Sequence, residues 1–462
     1  MIPGVVQSMG ERRSRRCAIS VLAIAVLVAY RPPLSAQQPV ADTVRMGLAD
    51  ARALAVGRNP ELLAARLDTA VAQGELRQAS LLVRSNPAVD VLSAGAGLGY
   101  ELGISQEVEI LNQRGARRTA ARLEVERARA SAADVARVVL GRVDLSFYRL
   151  VAAARRQALA QEVLDLSRRL AEVAGRQLEA GKVSRLDYNL ATVEFGRSRA
   201  RNLAAGRERA EAEIELTRLL GLPRGTVIAP KLDGAAADSA RDWSAADSAS
   251  RGGLSASAAR LNAVPDGRPT SPVVDSLTAV ALSRRPDLAE RQAAQRRAVA
   301  QGMVVRREAF PNLLLRAASE KEGGGTRALR TGVGLTLPVF NRNQGEAEAW
   351  DAQARRAGHE LAAVSDRVRA EVASAVTTYE SAAREMVVLA TTVLGPARQN
   401  RQLSETAYRE GKIGLAELLL IRGQAIDAEL DYWAAWQAAR EASATLAEVT
   451  AQNLLDTGIR KP

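Results

Sequence analysis

The sequence predicts a mainly α-helical chain with a smaller β part, in which one plan is used twice. Three observations lead there. Landmarks of the first half return in the same order in the second. Two stretches of nearly seventy residues keep a helical pattern. Two shorter stretches alternate apolar with polar or small residues.

The landmarks set the repeat. Arg58-Asn59-Pro60-Glu61-Leu62 returns as Arg284-Arg285-Pro286-Asp287-Leu288, and Asn86-Pro87 as Phe310-Pro311. Val108 to Gly115 returns loosely as Leu337 to Gly345, and Gly181-Lys182-Val183 as Gly411-Lys412-Ile413. The offsets are 226, 224, about 229 and 230 residues. That period far exceeds the roughly 20–50 residues of a solenoid unit, so it marks a duplicated domain. The first repeat spans 37–228 and the second 272–455, with a short tail at 456–462.

Each repeat opens on a helix, Leu62 to Arg84 and Leu288 to Ala309. Paired strands follow, at about 88–110 and 312–340. In the second, Leu329, Thr331, Val333, Leu335 and Leu337 share one face and Arg330, Gly332, Gly334 and Thr336 the other. Its partner strand lies across Gly323-Gly324-Gly325. In the first, the glycines at 95–99 make the turn, and Tyr100, Leu102 and Ile104 alternate with Glu101, Gly103 and Ser105. Strands of this length with one apolar face fit either a membrane β-barrel or a soluble hairpin.

The long helices come next, at about 112–180 and 344–410. At 1.5 Å per residue each reaches roughly 100 Å, beyond the needs of one globular core. Leu159, Val163, Leu166, Leu170, Val173 and Gln177 step by four and three, as do Met386, Leu389, Val393, Pro396, Asn400, Leu403 and Ala407. This is coiled-coil spacing. Pro396 should bend its helix or mark a break. Gly181 and Gly411 end the long helices, since glycine takes the left-handed turn that stops a helix. The tips are 181–185 and 411–415. Return helices run from about Leu186 to Leu220 and from Leu415 to Leu455. The segment 229–271 lacks periodicity and reads as a linker.

The N-terminus reads as a signal peptide over 1–36. Arg12, Arg13, Arg15 and Arg16 precede an apolar run from Cys17 to Tyr30, and Leu34-Ser35-Ala36 offers a cleavage site. The competing reading is an uncleaved anchor. Cys17 stands at the start of the apolar run, the wrong end for lipid attachment. Removing the segment takes four positive charges from the formal +12 and leaves +8. For an exported chain this charge means solvated helix faces rather than nucleic-acid binding.

Chemistry is poorly supplied. Cys17 is the only cysteine, so the mature chain has no disulfide, thiol nucleophile or Cys-ligated zinc. His359 is the only histidine and lies in a long Ala-rich helical stretch. The Gly95–Gly99 run opens no helix, so it makes no phosphate cradle. No catalytic, cofactor or metal site can be assembled, which weighs against an exported hydrolase.

Two copies of helix, β-hairpin, very long helix, glycine tip and return helix resemble the TolC-like outer-membrane efflux channels, over roughly residues 47–455. Pro338-Val339-Phe340-Asn341-Arg342-Asn343-Gln344-Gly345 and Ile104-Ser105-Gln106-Glu107-Val108-Glu109 look like the corresponding segments of the cobalt–zinc–cadmium efflux subclass. The resemblance implies a homotrimer. Each chain would give four strands to a twelve-stranded barrel in outer-membrane lipid, and its helices to a periplasmic α-barrel. Four strands alone cannot close a barrel, which agrees. The resemblance further implies that the tips, Gly181, Lys182, Val183 and Ser184 with Gly411, Lys412, Ile413 and Gly414, meet a periplasmic adaptor. An inner-membrane pump, of the RND type for this subclass, would drive export of heavy-metal cations. It also points to Asp187, Tyr408 and Glu417 at a pore constriction. Leu178 stands where Tyr408 has its first-half counterpart. As acids just inside the return helices, Asp187 and Glu417 equally fit helix capping. A drug-efflux or type I secretion duct, or a periplasmic coiled-coil adaptor, are the other expectations.

Overall fold

A computed structural model describes residues 43–93, 99–231, 271–322 and 327–453. The expected signal peptide at 1–36, most of the hairpin-turn glycines, the linker from 232 to 270 and the tail at 456–462 lie outside them. The residues from Val44 onward form one unit.

In the first half β1 (Thr43–Met46) leads into α1 (Leu48–Arg58) and α2 (Pro60–Ala79). Strands β2 (Ala88–Ser93) and β3 (Gly99–Val108) precede the 67-residue α3 (Gln113–Glu179). The return helix α4 (Arg185–Leu219) and β4 (Val227–Pro230) follow. The second half has α5 (Ser271–Arg284), α6 (Pro286–Glu308), β5 (Leu313–Glu322) and β6 (Arg327–Leu335). Its long arm is α7 (Gln344–Val388), a π-helical segment (Leu389–Leu394) and α8 (Gly395–Arg409), and α9 (Leu415–Val449) returns.

The repeated landmarks build the same local structures twice. Pro60 and Pro286 begin α2 and α6, where a missing N–H costs nothing. Asn59 caps the first: its Oδ1 accepts the Leu62 N–H at 3.1 Å while its Nδ2 donates to the Leu219 carbonyl at 2.8 Å. Buried Arg285 takes that place in the second half and pairs with Asp287 at 2.7 Å and with Glu371. Asn112 and Asn343 both adopt left-handed backbone, at φ 58° and 55°, which Asn tolerates better than most residues. The next residue locks each turn. Gln113 Oε1 accepts the Leu111 N–H at 2.9 Å, and Gln344 Oε1 accepts the Arg342 N–H at 2.8 Å. This is how each strand is turned into its long helix.

The structure corrects several expectations. Helix α2 stops at Ala79 rather than Arg84, and Arg114 takes up the Ser80 carbonyl at 2.7 and 3.0 Å. Leu337 lies beyond the end of β6. In the second arm the heptad spacing does not mark the buried face, since Val393 and Leu403 are exposed and Ala390 and Leu394 are buried. Pro396 is the physical reason. It lacks an N–H and its ring crowds the carbonyl four residues back. The preceding turn widens to the π form and shifts which side chains face inward. Helix α3 has no proline and stays α-helical throughout.

Helix α3 is the spine and packs against α2, α4, α6 and α9. Its contacts run through small residues such as Ala136, Ala152 and Ala153. One aromatic chain interrupts this pattern. Phe147, Tyr148, Trp436, Trp433 and Tyr432 meet edge to face at 5.5–6.0 Å. Beside it Arg52 pairs with the buried Asp144 at 2.7 Å. The linker is shorter than expected, since Ala229 and Pro230 belong to β4, which pairs with β1.

The four remaining strands form one antiparallel sheet in the order β2-β3-β5-β6. The halves join at its centre, where Gly103 of β3 faces Ala318 of β5.

Candidate functional site: paired hairpin tips and an open four-stranded sheet

The two helical hairpins end in the same turn. Gly181 and Gly411 take φ of +66° and +71°. The N–H of Gly181 donates to the Leu178 carbonyl at 3.0 Å, and that of Lys182 to Gln177 at 2.8 Å. Gly411 and Lys412 repeat the pattern on Tyr408 at 3.0 Å and Ala407 at 2.8 Å. This double bond is the Schellman closure, which satisfies the last carbonyls of a helix. A Cβ at either glycine would meet nothing, so the backbone angle alone selects glycine there.

The tips differ one step later. Ser184 begins α4 with a reciprocal capping box: its Oγ accepts the Asp187 N–H at 3.1 Å, and the Asp187 carboxylate accepts from the Ser184 N–H at 3.2 Å and its Oγ–H at 2.6 Å. Gly414 begins α9 with no side-chain cap, and Glu417 is exposed. So Asp187 serves the cap, whereas Glu417 makes no such bond.

A crevice lies between the tips. Val173, Gln177, Val183 and Asp187 line it from the first hairpin, and Tyr408, Gly414 and Leu415 from the second. It brings together Val183, Asp187, Tyr408 and Gly414 and leaves Glu417 outside. Gly181, Lys182, Ser184, Gly411 and Lys412 are exposed, and Ile413 is half-buried. Lys412 pairs with Glu410 at 2.6 Å.

The sheet is two-faced. Val89, Val91, Leu102, Ile104, Leu329 and Val333 stand on one face and are half or more exposed. The other face carries charge. Glu101 sits directly opposite Glu320, a costly juxtaposition of like charges. Arg316 pairs with Glu101 at 3.1 Å and Arg330 with Glu320 at 2.7 Å. Of these four residues, alternation in the sequence places only Glu101 and Arg330 on the polar face. Among the described residues β2 and β6 each have one neighbour, so both sheet edges are open.

Among the described residues no group of three or more His, Cys, Asp or Glu is placed to hold a metal ion. No described helix is long and apolar enough to cross a membrane. His359 is exposed on α7.

The sequence profile of the family described as "Outer membrane efflux protein" matches residues 51–222 and 277–452. The chain belongs to the outer membrane efflux protein family. The two matched segments are the two structural repeats. The cobalt-zinc-cadmium resistance protein CzcC of Cupriavidus metallidurans is 26% identical over 386 residues, covering 83% of this chain and 84% of CzcC. The CmeC outer membrane channel of Campylobacter jejuni superposes with a TM-score of 0.69 at 12% identity, over 90% of both chains. The MtrE outer membrane channel of Neisseria gonorrhoeae gives 0.66 at 18% identity, over 90% of this chain and 91% of that one. An outer membrane efflux protein resides in the outer membrane and extends into the periplasm. The family consists of channels that work with an adaptor and an inner-membrane pump. This accounts for the exposed apolar face of the sheet, which in lipid is no longer exposed to water.

Proposed function

We propose that three copies of this chain form the passive exit duct of a tripartite pump for heavy-metal cations. One observation carries the trimer: a four-stranded sheet with an apolar face and two open edges. Four strands do not close a barrel, and an open edge in hydrocarbon leaves unpaired N–H and C=O groups. Three copies supply twelve strands.

The tips are the adaptor surface in this reading. Gly181, Lys182, Val183 and Ser184 with Gly411, Lys412, Ile413 and Gly414 are small or short-stemmed, apart from the two lysines, and end rigid helices. The constriction falls to Asp187, Tyr408 and Glu417. Because Asp187 is bonded within its cap, Glu417 is the freer charge, and three copies of it would make an acidic ring that favours cations. The pump would be of the RND type. The duct itself would perform no chemistry and hold no cofactor.

The cargo reading rests on the similarity to CzcC, whose name specifies cobalt, zinc and cadmium. A wide duct needs no metal ligands of its own. The test is a deletion strain plated on zinc, cobalt, cadmium and copper, alongside purified protein in a planar bilayer. Metal sensitivity restored by the gene, with a conducting trimer, is the expected result. Unchanged metal tolerance overturns the cargo, and a non-conducting monomer overturns the channel.

A further inference from the structure

Exposed apolar residues collect where the open edges of the sheet meet the helices. Before β2, Leu81, Leu82 and Val83 are 45%, 74% and 38% exposed. After β6, Leu337, Val339 and Phe340 are 68%, 60% and 92% exposed. The second segment is not a loose loop. The Val339 N–H donates to the Leu337 carbonyl at 2.9 Å, the Gln344 side chain donates to the Phe340 carbonyl at 3.4 Å, and Arg342 donates to the Pro338 carbonyl at 3.3 Å. A bonded turn thus presents an almost bare phenyl ring.

Topology says what covers it. The residues before β2 and those after β6 lie at the same end of the sheet, because β2 starts and β6 ends there. They also flank opposite edges. When β6 of one copy pairs antiparallel with β2 of the next, the segment 337–340 of the first comes beside 81–83 of the second. The two patches then complete each other.

We infer that Leu337, Val339 and Phe340 of one copy clasp Leu81, Leu82 and Val83 of the next, sealing the junction between barrel and helices. The clasp rests on the proposed trimer and adds its contact residues. It buries apolar surface at the place where strand pairing stops and helix packing has yet to begin. Neither patch is complete in one chain.

Paired cysteines test it, since Cys17 is the only native cysteine and falls in the expected signal peptide. Leu82→Cys with Phe340→Cys, treated in outer-membrane fractions with a short bis-maleimide, should give covalent dimers and trimers on denaturing gels. Each single variant should give no trimer. Phe340→Ser should weaken the detergent-resistant trimer, and Phe340→Leu should largely restore it. Three results overturn the clasp while a wild-type trimer persists. One is absence of cross-links. A second is a thiol introduced by Phe340→Cys that reacts only with lipid-soluble maleimide, which puts lipid over the patch. The third is free reaction of that thiol with a water-soluble maleimide. Absence of any wild-type trimer instead removes the trimer on which the clasp rests.

Discussion

The Oγ of Ser184 and the carboxylate of Asp187 lie 2.6 Å apart in a reciprocal cap, and the second hairpin has no counterpart because Gly414 supplies no side chain. An N-cap hydroxyl is worth about 1 kcal/mol. Ser184→Ala should therefore speed hydrogen exchange of the first amides of α4 about fivefold. Glu417→Gln should leave the first amides of α9 unchanged. Equal effects at both tips would contradict the asymmetry.

Gly141 and Glu448 form a second linked pair. A Cβ at position 141 would collide with Glu448 Oε2. Burial pushes the Glu448 carboxyl above its ordinary range, against the opposing pull of Arg137. Its charge therefore costs stability above the folded pKa, a cost relieved as pH falls through that value. Glu448→Gln should raise the denaturation midpoint at neutral pH. Gly141→Ala should lower it, and adding Glu448→Ala should recover part of the loss. Additive effects of those two changes would show that the side chains do not meet.

Acid sensitivity should come from carboxylates shifted the other way. Burial pushes Glu124 up, but the hydrogen bond from Arg127 and the charges of Arg297 and Arg127 outweigh it, so its pKa is lowered. For Asp287, burial is likewise outweighed by Arg285. A lowered pKa adds stability that is present above the unfolded value and lost as pH falls through the folded one. Thermal stability should thus decline from about pH 4 downward. Glu124→Gln should be less stable at neutral pH and show a flatter acid decline. A parallel decline would refute the assignment.

The aromatic chain should be the most sensitive part of the helical core. Trp436 is 2% exposed and touches both Tyr148 and Trp433. Trp436→Ala should cost about 3–5 kcal/mol, read from the denaturant midpoint by circular dichroism. Alanine at the exposed Leu203 of the return helix should cost far less.

The charged sheet face should tune ion selectivity if it lines the conducting path. Arg316→Gln leaves Glu101 facing Glu320 with only Arg330 to compensate. Reversal potentials in a salt gradient should move toward cation preference. An unmoved potential would place these side chains off the path.

What the sequence determined by itself is what depends on near neighbours. Gly181, Gly411 and Pro60 act within four residues of themselves, as does the cap of Asn59 on Leu62, so these turns and caps are written in local composition. Strand alternation at Leu329–Leu335 and the length of α3 are equally local patterns. The family fold was legible because these signals occur twice in one order. Tertiary structure alone decided which strand lies beside which, since β3 and β5 are joined across more than two hundred residues of chain. It also decided that Asp187 and Tyr408 share a crevice and that Glu417 does not. The place of Asp187 just inside its helix fits capping and a pore constriction equally, and only the folded tip shows the carboxylate bonded to Ser184. The buried face of the second arm escapes the heptad pattern because one proline, acting on the turn before it, shifts which side chains face inward. Local geometry follows from a few adjacent torsions. The placement of distant residues follows from the sum of many weak contacts, which no short stretch of sequence contains.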